Sequence, residues 1–434
     1  MELFLLSVIG LVLGIAVGLI PTIGPFLTML MTYPLLIGQD PLAVICFYVS
    51  MITAANFSGS VTGILFGVPG ENNAIVSSQL GFRYTRHGIG EYALALTALG
   101  SATAALASVI LLIMGIDFLS DQTWIYSTYV KVAVFSCVYV LLILQSRGLS
   151  QVVLGSLLAV VGYSDIWGET TMLGMDFLSG GLSLLPVMMA IFVVPVLWNS
   201  VGNISGFPLK TNRGVSTMTV IGKWWMSKWS WIRSVLSGTV IGLIPGIGTV
   251  IVGNTAYAIE RKISTSPRAG LVAAESSNNS AAVSSLVPLI CFGIPITASE
   301  AVLVNILAES NHVIGMHWFM QNVDDGVSRL WWIYATLVVS AVISLAICWR
   351  MARHLAVLVI TNSRAIFLSV ITIMISIMIW QGISEYRLIL DLATFLLLLP
   401  LGFWLQKYPT HPLLLSFLIF DSSAESFYGF LQLS

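Results

Sequence analysis

Charged residues are scarce in this chain of 434 residues. Lys, Arg, Asp and Glu together make up 9% of it, whereas a soluble globular protein carries about 25%. Apolar residues make up 57%, and the mean hydropathy is +0.95. So few charges cannot cover a large surface in water, and the composition therefore predicts a chain that lies mainly in lipid. A net charge of −1 also offers no basic surface for nucleic acid.

Motifs for catalysis are missing as well. The sequence contains no HExxH zinc motif, no GxSxG nucleophile elbow and no GxxxxGK[ST] phosphate-binding loop. The four cysteines lie singly in apolar runs and form no CxxC pair. We therefore expect a protein that is not an enzyme and has no organic cofactor. The one metal ion that the sequence leaves open is Na⁺, as a transported or coupling ion.

Long apolar runs are abundant. A transmembrane helix needs about 20 mainly apolar residues, and clean runs occur at about 92–114, 125–145, 181–200, 329–348, 365–381 and 388–406. Other apolar runs are interrupted by Gly and Pro, at 21–25, 66–70, 245–248 and 292–295. A polar stretch at 201–231 divides the chain. We expect a first transmembrane repeat at 1–200, a polar cytoplasmic linker at 201–231 and a second repeat at 232–434.

The interruptions recur in the same order in both halves. Gly-Leu-Ile-Pro at 18–21 is repeated at 242–245, an offset of 224 residues. Phe-Gly-Val-Pro at 66–69 matches Phe-Gly-Ile-Pro at 292–295, an offset of 226 residues. Two motifs at nearly one offset predict an internal duplication.

Equivalent turns of the two halves carry opposite charge. Basic residues favour the cytoplasmic side of a membrane protein. Arg83 and Arg86 follow the second interruption of the first half, whereas Asp324 and Asp325 follow its counterpart, and two further pairs of turns differ in the same way. The sequence therefore predicts an all-α polytopic membrane protein of two inverted-topology repeats with broken, re-entrant helices. That combination is typical of secondary transporters.

Small polar residues lie beside each interruption. Irregular backbone at membrane depth persists only where it lines a cavity or is buried in protein. The N-terminal ends of broken helices present free N–H groups to an anion, and oxygen atoms of the backbone and side chains bind hard cations. The candidate substrate-binding residues are Thr22, Gly24, Asn56, Ser58, Gly59, Ser60, Gly70, Gly246, Gly248, Asn278, Asn279, Ser280 and Thr297. The candidate cation-coupling residues are Glu71, Asn72, Glu275 and Asn279.

Two alternatives remain open for these residues. Gly, Ser and Asn also allow helices to pack closely, without any ligand. For Glu71 and Glu275 the alternatives are a structural charge at a helix N-terminus or a proton carrier, in which case the coupling ion would be H⁺.

The motifs resemble the large membrane subunit of the tripartite tricarboxylate transporters. The family's Pro-Gly-x-Gly-Pro turn is matched at 21–25, its Pro-Gly-Glu at 69–71 and its second Pro-Gly-x-Gly turn at 245–248. Its Glu-x-x-Asn-Asn run is matched at 275–279. Thr22 replaces the usual glycine of the first turn, and Ser280 replaces an alanine.

The resemblance implies a secondary active transporter that imports a tricarboxylate or dicarboxylate across the bacterial inner membrane by alternating access. A Na⁺ or H⁺ gradient would drive it. A small membrane subunit and a periplasmic substrate-binding protein would be its partners. Independently of the resemblance, the long apolar spans such as 125–145 and 388–406 predict contact with membrane lipid or with a second copy in a homodimer. The alternative is a passive anion channel or a membrane scaffold that uses the same interruptions as a pore or hinge.

Overall fold

A computed structural model describes residues 1–20, 23–69, 74–122, 124, 127–145, 147–161, 181–200, 216–246, 248–322, 327–350, 354, 363–408 and 410–433. Helices joined by short turns make up most of these residues, which confirms the predicted all-α class. Of the candidate site residues, Thr22, Gly70, Glu71 and Asn72 lie outside the described residues.

The first half contains α1 (Glu2–Gly18), α2 (Pro25–Leu36), α3 (Pro41–Phe66), α4 (Ile75–Arg86), α5 (Gly90–Ser120), α6 (Thr128–Ile143) and α7 (Gly148–Val160). It ends with α8, in which Leu184–Met188 and Val194–Ser200 flank a π-helical turn, Met189–Val193. Within the predicted linker, α9 (Thr217–Trp225) is helical and packs on α5, with Val220 fully buried.

The second half contains α10 (Lys228–Gly242), α11 (Gly248–Ile263), α12 (Pro267–Ser284), α13 (Leu286–Phe292), α14 (Ala298–Glu309) and α15 (Met316–Met320). Four longer helices follow: α16 (Arg329–Arg350), α17 (Ser363–Ser384), α18 (Leu388–Leu405) and α19 (His411–Leu433).

Five helices in the described part of the chain are long and apolar enough to cross a membrane: α3, α5, α16, α17 and α18. They differ in burial. Helix α3 is buried along most of its length, whereas α5, α17 and α18 carry large exposed apolar side chains. A surface of this kind is stable in hydrocarbon and not in water. The chain is therefore a multi-pass membrane protein, with α3 in its interior.

Helix α3 has a close counterpart in the second half. It spans Pro41–Phe66, and α12 and α13 together span Pro267–Phe292, which is the same length at the repeat offset of 226 residues. Both units end at a glycine in the left-handed region, with φ of 75° at Gly67 and 71° at Gly293. Only glycine adopts this conformation without strain, so it stops each helix at the interruption.

The helix that packs on each of these units does so through glycine. A Cβ atom on Gly18 of α1 would lie 2.1 Å from the Oγ atom of Ser58 in α3. A Cβ atom on Gly242 of α10 would lie 2.2 Å from the Oγ atom of Ser284 in α12. The two contacts are related by the offsets of the sequence repeat. We call these two contact zones the glycine seams.

The halves also pack across each other in a reciprocal way. Helix α5 packs on α12, and α16 packs on α3. Likewise α2 packs on α14, and α4 packs on α11. Each broken segment is therefore held in part by the other half. The opposite orientation of the two halves in the membrane stays a prediction from the charge pattern.

Candidate functional site

A cavity of about 630 Å³ lies where the interruptions of the two halves meet. Five of the predicted substrate-binding residues line it: Gly24, Asn56, Gly246, Asn278 and Thr297. They come from α3, from α12 and from the turns before α2, α11 and α14. Residues that are distant in sequence therefore share one cavity, which we call the central cavity.

Four helices begin at the central cavity. The first-turn residues Pro25 of α2, Ile75 of α4, Thr249 of α11 and Ala298 of α14 all contribute to its lining. The first N–H groups of a helix have no partner within that helix, and each N-terminus carries about half a positive charge. The N-termini of α2, α4 and α11 therefore offer a favourable potential and N–H donors to an anion, whereas the Glu300 carboxylate already caps the N-terminus of α14.

The turn between α10 and α11 depends on its glycine. Gly246 has a φ of 76°, and its N–H donates to the Ile296 carbonyl oxygen at 3.0 Å. This bond joins the first interruption of the second half to the second one. Glycine at 246 thus has a physical reason in this chain, since a larger residue would adopt this φ only with strain.

A capping box shapes the start of α14. The Thr297 hydroxyl accepts from the Glu300 N–H at 3.2 Å, and the Glu300 carboxylate accepts from the Thr297 N–H at 3.0 Å. Glu300 is fully buried, and it also accepts from the Ile296 N–H and the Ser285 hydroxyl. Glu300 was not among the predicted site residues. The Thr-x-x-Glu spacing at 297–300 is the sequence signal that could have identified its role.

Asn278 lies in the wall of the central cavity. Its side chain is 5% exposed and lines the central cavity, and no described residue forms a hydrogen bond with it. Buried amides are normally hydrogen-bonded, because losing water without gaining a partner costs free energy. A buried amide at a cavity wall, without a partner among the described residues, is therefore well placed to bind a polar ligand.

The wall of the central cavity is neutral. Among the described residues that line it, none is charged, and Phe26, Phe192, Leu414 and Leu415 form an apolar part of the wall. Three charged side chains contact or adjoin lining residues without lining the cavity themselves. Lys407 is exposed, and the Arg147 guanidinium lies over the ring of Tyr408 at 4.1 Å. The buried Glu300 carboxylate accepts from Ser285, Ile296 and Thr297. The favourable potential for an anion comes from helix ends and amides and not from Lys or Arg side chains.

Glu275 belongs to a separate polar cluster between α3, α5 and α12. Its Oε2 atom accepts from the hydroxyls of Ser60 at 2.7 Å and Ser101 at 3.5 Å. The Asn279 amide donates to the Ser101 hydroxyl at 2.9 Å and to the Glu275 carbonyl oxygen at 3.1 Å. Glu275 is fully buried, and its Oε1 atom has no partner among the described residues. Ser101 is the member of this Glu275 cluster that sequence reasoning missed.

Ser60 connects the Glu275 cluster to the central cavity. Its hydroxyl lies 2.7 Å from Glu275 and 3.2 Å from the carbonyl oxygen of Asn56, whose residue lines the cavity. On α12, Asn278 lines the cavity while Asn279 belongs to the cluster. The two sites are therefore neighbours that share α3 and α12.

Four further predicted residues that the structure describes, Ser58, Gly59, Gly248 and Ser280, lie outside both sites. The hydroxyls of Ser58 and Ser280 donate to backbone carbonyl oxygens, of Ala54 and Val235 respectively, in the glycine seams. Gly59 lies near the Gly18 carbonyl oxygen, and Gly248 begins α11 in close contact with Ile241. For these four residues the contacts are those of close helix packing, the alternative that the sequence left open.

The fold and the central cavity define a multi-pass helical membrane protein whose broken helices meet at one internal site. The chain belongs to the tripartite tricarboxylate transporter TctA family, whose model matches residues 4–415.

Two relatives from Agrobacterium vitis are similar to this chain. An uncharacterized 52.8 kDa protein in the TAR-I ttuC' 3' region is 27% identical over 316 residues, which cover 68% of this chain and 62% of that protein. An uncharacterized protein in the TAR-II ttuC' 3' region is 34% identical over 74 residues, which cover 15% of this chain and 31% of that protein. The chain thus spans less than two thirds of the length of these relatives.

Proposed function

We propose that this protein is the large membrane subunit of a secondary transporter that imports a carboxylate of the dicarboxylate or tricarboxylate class. The observation that carries the proposal is the central cavity, where four helix N-termini meet beside the Asn278 amide, which has no hydrogen-bond partner among the described residues. Helix N-termini and neutral amides bind carboxylates without a buried Lys or Arg. Membership of the family supports the same substrate class.

The Glu275 cluster supplies the coupling-ion site in this proposal. A fully buried carboxylate is costly unless a cation or a proton neutralises it. The described partners of the Glu275 carboxylate are hydroxyls, so the neutralising charge comes from Na⁺ or H⁺. Because Ser60 and α12 join this cluster to the cavity, an ion bound there favours the cavity geometry that binds the substrate. Of the candidate residues outside the described chain, Glu71 and Asn72 remain proposed contributors.

Transport proceeds by alternating access in this proposal. The broken segments that bound the cavity are α2, α4, α11 and α14, and they move against the long helices around them. The membrane is the bacterial inner membrane. A periplasmic binding protein delivers the substrate, a small membrane subunit completes the complex, and exposed apolar helices contact lipid or a second copy.

Gradient-driven accumulation tests the proposal against a passive channel or a scaffold. The protein is reconstituted in liposomes with its small subunit and binding protein, and a labelled carboxylate is supplied outside. We expect accumulation above the external concentration when an inward Na⁺ or H⁺ gradient is imposed, and exchange for unlabelled substrate inside the vesicles. Equilibration without accumulation under either gradient would favour the channel, and no flux at all would favour the scaffold.

A matched pair of variants tests the Glu275 cluster. Asn279 and Asn305 each donate to the carbonyl oxygen four residues earlier and to a second helix. We expect Asn279→Ala to abolish uptake while the protein stays in the membrane, and Asn305→Ala to keep uptake. Normal uptake by Asn279→Ala would remove this residue from the site.

A further inference from the structure

The central cavity reaches the surface of the protein at the turn between α18 and α19. Gln406, Tyr408 and Thr410 of this turn line the cavity, and Lys407 between them is exposed. A lysine side chain in hydrocarbon costs free energy, so this turn lies in water. We call this end of the central cavity the mouth.

The turn between α6 and α7 also lies at the mouth. A Cβ atom on Gly246, which lines the cavity, would lie 2.9 Å from the Cδ2 atom of Leu142 near the end of α6. Arg147, the N-cap residue of α7, places its guanidinium over the Tyr408 ring, 4.1 Å from the ring centroid. The guanidinium is therefore next to a residue that lines the cavity.

The backbone conformation at Arg147 is one that favours glycine. Its φ of 58° lies in the left-handed region, which a residue with a Cβ atom adopts only with strain. Such residues persist where the surrounding structure holds them, and they cluster at functional sites. The reason for arginine at this position therefore lies in its side chain.

The Arg147 guanidinium has N–H groups to offer to a ligand. The side chain is exposed, and no described residue forms a hydrogen bond or an ion pair with it. The attraction between a cation and an aromatic ring uses no hydrogen bond, so the contact with Tyr408 holds the guanidinium in place and leaves its donors available. A guanidinium binds the two oxygens of a carboxylate through two parallel N–H groups.

The charges around the cavity also favour an anion at the mouth. Arg147 and the exposed Lys407 are charged residues of the two turns that meet there. At the start of α14, by contrast, the buried Glu300 carboxylate accepts from three lining residues: Ser285, Ile296 and Thr297. A carboxylate is attracted by the cations and repelled by Glu300, so the mouth is the more favourable place for its first contact.

We propose that Arg147, held in place by Tyr408, binds a carboxylate of the substrate at the mouth of the central cavity. This outer binding position is the one that the substrate occupies as it passes between water and the cavity. The inference rests on the proposed carboxylate transport and adds to it a residue that determines affinity.

Binding of citrate and succinate to the purified protein tests this role. The unfolding temperature is measured in detergent over a range of concentrations of each acid, in Na⁺ buffer at pH 7, and its rise gives an apparent Kd by mass action. Arg147→Gln removes the charge and the paired donors, so the apparent Kd should rise about tenfold or more. Arg147→Lys keeps the charge without the paired donors and should restore part of the loss. Tyr408→Leu removes the ring and should raise the apparent Kd about two- to fivefold.

Arg329 provides a matched control for Arg147. It begins a helix too, α16, and its guanidinium lies over the Trp318 ring at 4.2 Å, but it does not line or adjoin the central cavity. Arg329→Gln should leave the apparent Kd unchanged, even where the lost hydrogen bonds to Trp318 and Gln321 lower the unfolding temperature without ligand.

The dependence on ionic strength separates a charge contact from damage to the fold. In the unmodified protein the apparent Kd should rise when choline chloride is added at constant Na⁺, because salt screens the attraction between an exposed guanidinium and a carboxylate. Arg147→Gln should show a weaker dependence on salt, whereas Arg329→Gln should show the same dependence as the unmodified protein.

The outcomes distinguish the failure of this inference from the failure of the proposed function. An apparent Kd and a salt dependence in Arg147→Gln that equal those of the unmodified protein overturn the role of Arg147 but keep a carboxylate site. An equal loss of affinity in Arg147→Gln and Arg329→Gln overturns that role as well. No rise of the unfolding temperature with either acid in the unmodified protein contradicts the carboxylate site itself, and the outer binding position with it.

Discussion

Helices α3 and α12 occupy equivalent places in the two halves. They share a packing contact with a neighbouring helix but differ in the side chains of their other faces. Both pack on a neighbouring helix through glycine, at Gly18 and Gly242, with a serine hydroxyl at the contact. Their other faces differ. Where α12 carries Glu275, Asn278 and Asn279, the equivalent positions of α3 carry Val49, Ile52 and Thr53.

The difference indicates which features a repeated fold retains. Close approach of two helices requires glycine at fixed positions, because backbone atoms fill the space that a side chain would need. The other faces have no such requirement, so α12 carries a buried carboxylate and two amides at positions where α3 carries two apolar residues and a threonine. We therefore expect changes in the two seams to have similar effects, and changes on the other faces to have different ones.

The largest effect is expected from filling the glycine seams. A Cβ atom at Gly242 would lie 2.2 Å from the Ser284 Oγ atom and 2.6 Å from the Ala281 Cα atom. Gly18→Ala and Gly242→Ala should each destabilise the protein by about 1–3 kcal/mol or more, because the helices must separate. The yield of monodisperse protein after extraction and its unfolding temperature measure this effect.

Two controls sharpen the seam prediction. A Cβ atom at Gly115 would meet nothing within 4 Å, so Gly115→Ala should leave yield and unfolding temperature unchanged or slightly raised. Removal of the nearest atom, the Ser284 Oγ, should relieve part of this clash. The double variant Gly242→Ala with Ser284→Ala should therefore be more stable than Gly242→Ala alone. A strong loss in one seam with none in the other would contradict the equivalence of the two contacts.

The interruptions were predictable from sequence because their causes are local. Gly67 and Gly293 end their helices through their own backbone conformation, and a Gly-Pro cluster in an apolar run indicates such a break without any tertiary information. Of the five predicted residues that line the central cavity, Gly24, Gly246 and Thr297 lie in the interruptions or directly beside them. Asn56 and Asn278 lie within α3 and α12. The fold class followed from composition for a similar reason, since it depends on a property of the whole chain.

Tertiary packing explains what the sequence could not indicate. A serine in a stretch of small polar residues has the same appearance in sequence whether it faces a cavity or a carbonyl oxygen. The hydroxyls of Ser58 and Ser280 donate to carbonyl oxygens. Ser101 lies in the middle of α5, a helix without a break, and only the packing of α5 on α12 brings it to Glu275. No local signal marks such a residue.

A second prediction compares Glu275 with Val49, its equivalent on α3. Glu275→Gln keeps the size of the side chain and removes a buried charge, so the unfolding temperature should be unchanged or higher while gradient-driven uptake is lost. Val49→Ala removes buried methyl groups, so it should lower the stability by about 1–3 kcal/mol and keep uptake. The unfolding temperature and the initial uptake rate of both variants, measured on the same preparations, test this prediction.

Two outcomes would contradict the prediction for Glu275 and Val49. If Glu275→Gln transports at the rate of the unmodified protein under a Na⁺ or H⁺ gradient, the charge of Glu275 has no part in coupling. If uptake falls only in proportion to lost stability in both variants, the two positions have equivalent structural roles, and the chemical asymmetry between α3 and α12 has no functional meaning.

The smallest effect concerns the helices that follow the second interruption in each half. Helix α14 begins with the Thr297–Glu300 capping box, whereas α4 follows Ala74, whose side chain forms no cap. Thr297→Ala removes the acceptor for the Glu300 N–H and should destabilise the protein by about 0.5–2 kcal/mol. Thr297→Ser keeps the hydroxyl and should restore most of that loss. The unfolding temperature of the purified protein measures both changes.

The equivalent position before α4, Ala74, provides a control for Thr297. Ala74→Ser should change the unfolding temperature less than Thr297→Ala does, because residue 74 has a φ of −93° and a ψ of 6°, outside the extended region that side-chain capping requires. An equal change at both positions would mean that the two breaks are capped alike. An unchanged unfolding temperature in Thr297→Ala would mean that Glu300, which also accepts from Ile296 and Ser285, holds the start of α14 without the threonine hydroxyl.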